Sequence, residues 1–131
     1  MVNRSNLNPV ALKAIPAPVS HGVAVAGPRS VYVSGQVAVD RDGNVVGAGD
    51  VVAQTHQVMR NIQAVLAEAQ AELSEVVKLT MYLTREGDLP AVIRVRSEYL
   101  GQNRPAATAV TVKALARPEF LIEIEAIAVT D

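Results

Sequence analysis

In Val77-Lys78-Leu79-Thr80-Met81-Tyr82-Leu83-Thr84, apolar and more polar residues alternate without a break. That period of two divides the side chains of a β-strand between its faces, one buried and one polar or packed against something polar. A chain holding such a strand must also supply partners for its edges and a layer to cover its apolar face. Over residues 51–70, Val51, Thr55, Val58, Ile62, Val65 and Ala69 recur every three or four positions, with Met59 and Leu66 widening the stripe. This is the pattern of an amphipathic helix laid on a sheet, with Gln57, Arg60, Gln63 and Glu68 on the reverse face. Asp50 is placed to cap it, because a carboxylate accepts from the unsatisfied amide hydrogens of a first turn.

The other elements follow from punctuation by Gly, Pro and Asp. Residues 22–26 form a small-residue strand closed by Gly27-Pro28, and residues 31–37 form a second strand rich in β-branched side chains. Their closeness predicts a hairpin. Asp88 and Pro90 open a second helix that reaches about Leu100 and stops at Gly101. Gln102-Asn103-Arg104-Pro105 leads to a strand over residues 108–115, and Ala116-Arg117-Pro118-Glu119 turns the chain into a last strand over 121–129. The order is ββαβαββ, an α/β (α+β) chain read as one domain over residues 1–131. Residues 1–20, with Pro9, Pro16 and Pro18, read as an extended lead-in.

Composition narrows the function. Hydrophobic residues make up 50% of the chain, yet it has three Tyr, one Phe and no Trp, so the core must be aliphatic. A net charge of −1, with Lys and Arg scattered singly, gives no electrostatic footprint for nucleic acid or an anionic membrane. The absence of Cys excludes disulfides and thiolate chemistry. No apolar run approaches the ~18 residues that read as a membrane span, and no secretory leader is evident, so a cytoplasmic protein is expected. His21 and His56 are the only histidines and belong to different elements, too few for a metal site; no metal is expected. Neither a Gly-x-Ser-x-Gly elbow nor a phosphate or dinucleotide loop is present.

Glu123 and Glu125 lie two apart on the last strand, so both point to one face, about 6.6 Å apart along the backbone. Two such carboxylates divide acid and base roles or orient a water; equally, they mark a solvated edge with salt bridges. Their place in the most apolar segment of the chain argues against simple solvation. Ser34-Gly35-Gln36 interrupts an apolar strand, as at a bulge or where a ligand approaches the backbone closely.

Taken in order, these segments resemble the YjgF/RidA family, over nearly the whole chain from Ala14 onward. The likeness rests on Val31-Tyr32-Val33-Ser34-Gly35-Gln36, the helix after Asp50, Val76-Val77-Lys78-Leu79-Thr80-Met81-Tyr82-Leu83, Arg104-Pro105-Ala106, and Ile122-Glu123-Ile124-Glu125-Ala126-Ile127-Ala128-Val129. The resemblance implies a chorismate-mutase-like fold, two helices on one face of the sheet, and a homotrimer binding small molecules in clefts between subunits. It further implies hydrolysis of reactive enamines and imines to carbonyl compounds and ammonia, without metal or bound cofactor. Glu123 would position the attacking water, and Ser34 and Gly35 would contact the substrate. The family pattern also has a carboxylate-binding arginine where this chain has Ala107, a cysteine at Ala109, a tyrosine at Val19 and an aromatic residue at Arg96. A cleft relined with Val19, Ala107 and Ala109 should be roomier and more apolar, with Arg96 or Arg104 as candidates to replace the cation. Two outcomes are open: a hydrolase with altered substrate choice, or a trimer that binds without turnover. A third reading, from the family's ribonuclease and translation-inhibitor labels, finds weak support in the neutral charge, scarce aromatics and lack of a basic stripe.

Overall fold

A computed structural model of the protein describes residues 2–10, 14, 18–27 and 29–131. In chain order they form β1 (Asn3–Leu7), β2 (Gly22–Ala26), β3 (Arg29–Gln36), α1 (Val51–Glu68), β4 (Val76–Leu83), α2 (Leu89–Leu100), β5 (Ala106–Thr111) and β6 (Ile122–Thr130). The expected ββαβαββ order is present, preceded by one strand more. Within the segment read as a lead-in, β1 pairs antiparallel with β2, from Asn3 opposite Ala26 to Leu7 opposite Gly22. Pro16 and Pro28, on which parts of those expectations rest, lie outside the described residues.

The predicted hairpin between the second and third strands is replaced by other pairings. β2 joins β1 in a two-stranded sheet, whereas β3 lies at one edge of a four-stranded sheet ordered β3-β6-β4-β5. Burial explains the choice. Paired with β6, Val33 is buried at its register position opposite Ala126, over the helix layer, while Ala24, Val25 and Ala26 of β2 stay exposed. β6 runs antiparallel to both β3 and β4, and β4 runs parallel to β5. A parallel pair needs a crossover connection, which α2 supplies. β5 is shorter than predicted because its partner ends first: Val112 donates its amide to Leu83, the last residue of β4.

Both helices cover one face of this sheet. Val58, Met59, Ile62 and Leu66 of α1 are fully buried with Leu79, Ile122 and Ile124 of the sheet. Asp50 caps α1 as expected, its Oδ1 accepting from Val52 and Ala53 at 3.0 and 3.1 Å. The inward stripe differs at two positions: Val65 is left exposed, and Gln54 is fully buried instead. Gln54 is tolerated because its amide is satisfied. Nε2 donates to the carbonyls of Gly47 and Glu119 at 3.1 and 2.8 Å, and Oε1 accepts from Leu121 at 2.9 Å. The side chain thereby fixes where β6 begins. α2 ends as predicted at Gly101, whose φ of 56° is one that only glycine adopts readily. Among the described residues no helix is long and apolar enough to cross a membrane.

Candidate functional site

The second face of the four-stranded sheet carries no helix, and the residues singled out in the sequence meet there at a break in the β3–β6 ladder. Val33 pairs with Ala126 and Gln36 with Ile124, so Ser34 and Gly35 together stand against Glu125 alone. This is the bulge that a glycine within a strand predicts. The reason for glycine is visible. A β-carbon on Gly35 would lie 2.8 Å from Cδ of Glu123 and closer still to its Oε2. Gly35 therefore lets a carboxylate rest directly against the backbone.

Tyr82 distinguishes the two glutamates. It is the register partner of Glu123 across β4 and β6, yet its hydroxyl donates to Oε1 of the diagonal neighbour Glu125 at 2.5 Å. That hydrogen bond raises the Tyr82 phenol above its ordinary pKa, with desolvation and the negative charges of Glu125 and Glu123 acting the same way. Glu125 is thus engaged. Among the described residues the Glu123 carboxylate makes no hydrogen bond or ion pair, and it is half-buried over Gly35. Beside it, Tyr32, Ser34, Lys78, Thr80, Glu125 and Ile127 line an open concavity of about 390 Å³. The sequence placed Tyr82 on the polar face of its strand but gave no sign that it would take one glutamate and leave the other.

The remaining candidates gather elsewhere. Ser20, next to Val19, bridges to Ala106, donating its amide to Pro105 at 3.2 Å and its hydroxyl to the Arg104 carbonyl at 2.7 Å. Val19 is therefore brought to the start of β5, close in chain to Ala107. Ala107 and Ala109 pair with Leu79 and Met81, so they lie on the helix-facing side of β5, half-buried against the core. Arg96 belongs to this second group. It is 1% exposed, and its Nη1 donates to Sδ of Met81 at 3.3 Å. Burial pushes its pKa down from the usual guanidinium value. Arg104 is turned away to the end of α2, its Nη1 donating to the Gly101 and Asn103 carbonyls at 2.7 and 3.2 Å.

One chain therefore holds two half-sites on opposite faces of its sheet: Ser34, Gly35 and Glu123 on the open face, and Val19, Ala107, Ala109 and Arg96 about the β5 edge and its helix-facing side. Among the described residues no group of three His, Cys, Asp or Glu is arranged to hold a metal ion. His56 is engaged between the helices, its Nδ1 2.8 Å from the Tyr99 hydroxyl.

The family described as Endoribonuclease L-PSP matches residues 11–130 of this chain. A RutC family protein of Pyrococcus abyssi is 40% identical over 111 residues, spanning 85% of this chain and 85% of that protein. The 3-aminoacrylate deaminase RutC of Acinetobacter baylyi is 39% identical over 98 residues, or 75% of this chain and 77% of that one. Among solved structures, the Rid family protein YyfB of Yersinia pestis is similar with a TM-score of 0.89 and 37% identity, covering 98% of this chain and 99% of that one. The sheet with two helices on one face is the chorismate-mutase-like arrangement of these neighbours. With a match over nearly its whole length, the chain belongs to the YjgF/RidA family.

Proposed function

We propose that this protein hydrolyses reactive enamines or imines to carbonyl compounds and ammonia, with substrate choice altered by Ala107 in place of arginine. The observation that carries the reading is the Glu123 carboxylate, which has no side-chain hydrogen-bond or ion-pair partner among the described residues and is seated against the backbone of Gly35 at the β3 bulge. An imine carbon is already electrophilic. Catalysis needs a fixed substrate, a held water and a route for its protons. Glu123 holds the water and takes one of its protons as oxygen adds to the C=N carbon. Glu123 passes that proton to the imine nitrogen, giving a neutral carbinolamine; its hydroxyl proton is then relayed to the amine as the C–N bond breaks, so that ammonia departs and C=O remains. The deaminase named among the relatives supports the reaction class.

The proposed assembly is a homotrimer with small-molecule ligands between its subunits, in the cytoplasm. Its support lies in the placement of the half-sites, which a second copy would have to bring around one ligand. The helix-free face, where Tyr32 is 74% exposed, offers a surface for such packing. The test is hydrolysis of freshly generated 2-iminopropionate and of neutral imines, followed by ammonia release. Turnover above the spontaneous rate that is lost in Glu123→Ala supports the reading; spontaneous rates throughout overturn it.

A second reading is a trimer that binds a small molecule without turnover. It is favoured by the half-buried alanine at position 107, where the family pattern has the substrate-anchoring arginine. A ligand-dependent rise in Tm with no turnover of any imine selects it.

A further inference from the structure

Along β1 only Arg4 is half-buried, while Asn3, Ser5, Asn6 and Leu7 are exposed. The inward position of a short strand is an unusual place for a guanidinium, which keeps its charge in any protein environment. Arg4 Nη1 donates to the Ser74 carbonyl at 3.2 Å, and Nη2 is buried without a partner. Burial holds its pKa below the usual guanidinium value. Among the described residues no carboxylate is paired with it.

A second arginine shares its concavity. Arg4, Asn6, Ser74, Gln102, Asn103 and Arg104 line an open space of about 340 Å³ between β1, the turn at Leu73–Glu75 and the loop after α2. The Gly101 and Asn103 carbonyls hold Arg104 Nη1, which leaves Nε and Nη2 without a partner among the described residues. Arg104 lacks a carboxylate as well. Asn103 Nδ2 donates to the Leu73 and Val76 carbonyls at 2.8 and 3.0 Å, fixing the loop to the turn, while its Oδ1 is buried and unpaired. The acids beside Ser74 are occupied elsewhere. Glu75 accepts from the Glu72 amide and the Thr130 hydroxyl, and Glu72 from the Ser74 hydroxyl. One polar pocket therefore holds two cations with no counter-charge, an unused buried donor and an unused buried acceptor. Buried polar groups left open in this way point to a missing partner.

We propose that this pocket is a binding site for a phosphate group, as free phosphate or as the monoester of a small metabolite. Phosphate oxygens accept from two guanidiniums and from the amides of Asn6 and Gln102 together, and the group's charge offsets the repulsion between the arginines. A P–OH donates to Asn103 Oδ1, the acceptor that the protein leaves open. The long stem of Arg4 lets its head turn toward the occupant. None of these residues belongs to the half-sites about Glu123 and β5, so the inference does not rest on the hydrolytic reading. Arg104, turned away from those half-sites, has its use here.

The test is calorimetric titration of the full chain at low ionic strength with inorganic phosphate, glycerol 3-phosphate and glycerol. It compares the wild type with Arg4→Gln, Arg104→Gln and Arg60→Gln, the last an exposed arginine of α1 outside the pocket. The wild type is expected to bind phosphate and not glycerol. Tighter binding of inorganic phosphate identifies free phosphate as the ligand, and tighter binding of glycerol 3-phosphate identifies a monoester. Arg4→Gln and Arg104→Gln should each weaken binding by about ten-fold, the loss of one charge-assisted contact. Arg60→Gln should change it by less than about two-fold, because a distant exposed charge is screened. A wild type that ignores both phosphates overturns the proposal. So does binding that survives in both pocket variants, or that Arg60→Gln weakens equally. Should Arg4→Gln not fold, Arg104→Gln decides. A protein that turns over no imine leaves each of these outcomes unchanged.

Discussion

The Glu123 carboxylate occupies the space over Gly35 where a β-carbon would otherwise be. The contact couples a bulge in β3 to a side chain on β6, so the position of the carboxylate depends on a residue that has no side chain of its own.

Gly35→Ala is therefore expected to displace the carboxylate while sparing the fold. The clashing atoms belong to a flexible side chain, and Gly35 is not among the glycines with positive φ, so the backbone accepts alanine. Stability should change by less than about 1 kcal/mol, while imine turnover falls by about 10- to 100-fold. Parallel urea melts and ammonia-release assays check both halves.

Glu123 and Glu125 should respond differently to the same change. Glu123→Gln removes the proposed base and is expected to lower turnover by about 100-fold or more. Glu125→Gln keeps an acceptor for the Tyr82 hydroxyl and should lower turnover by less than about five-fold, because the bond is weakened rather than lost. Equal losses in the two variants would contradict the division of labour that Tyr82 sets up.

Tyr82 should also leave a mark on alkaline stability. Its folded pKa lies above its ordinary value of about 10, so the folded state holds the phenolic proton more tightly than the unfolded chain. The resulting stability is fully present below about pH 10 and is lost as pH rises through the folded value. Tyr82→Phe should accordingly have a flatter Tm-against-pH curve above about pH 10, with its deficit against the wild type largest at neutral pH. Melting curves across the alkaline range measure it.

Gln54→Leu is expected to cost about 3 kcal/mol, since it strips partners from the backbone groups of Gly47, Glu119 and Leu121 in a buried setting. Urea denaturation gives the value. A loss below about 1 kcal/mol would mean that these groups find other partners.

Much of the fold was legible because its signals are local. The stripe of α1, the Asp50 cap, the stop at Gly101 and the alternation in β4 depend on residues within a few positions of each other. The bulge at Ser34-Gly35 was legible for the same reason: a glycine inside a β-branched run is a local anomaly. Val65 was placed inward and Gln54 passed over because hydrophobicity by type ignores a side chain whose polar atoms find buried partners far along the chain. Tyr82 was missed because its choice of partner depends on the register of two strands about forty residues apart in sequence.

What the amino-acid sequence determined, then, was which segments become the two helices and every strand but β1, most of the residues they bury, and that two glutamates share one face. Tertiary structure alone decided that β3 pairs with β6 rather than β2, that Tyr82 engages Glu125 and not Glu123, and that Arg96 is buried against Met81. The reason is one of range. Periodicity and capping are settled by neighbours, whereas strand pairing, the partner of a hydroxyl and the burial of a charge follow from contacts between distant segments, each fixed only when the others are in place.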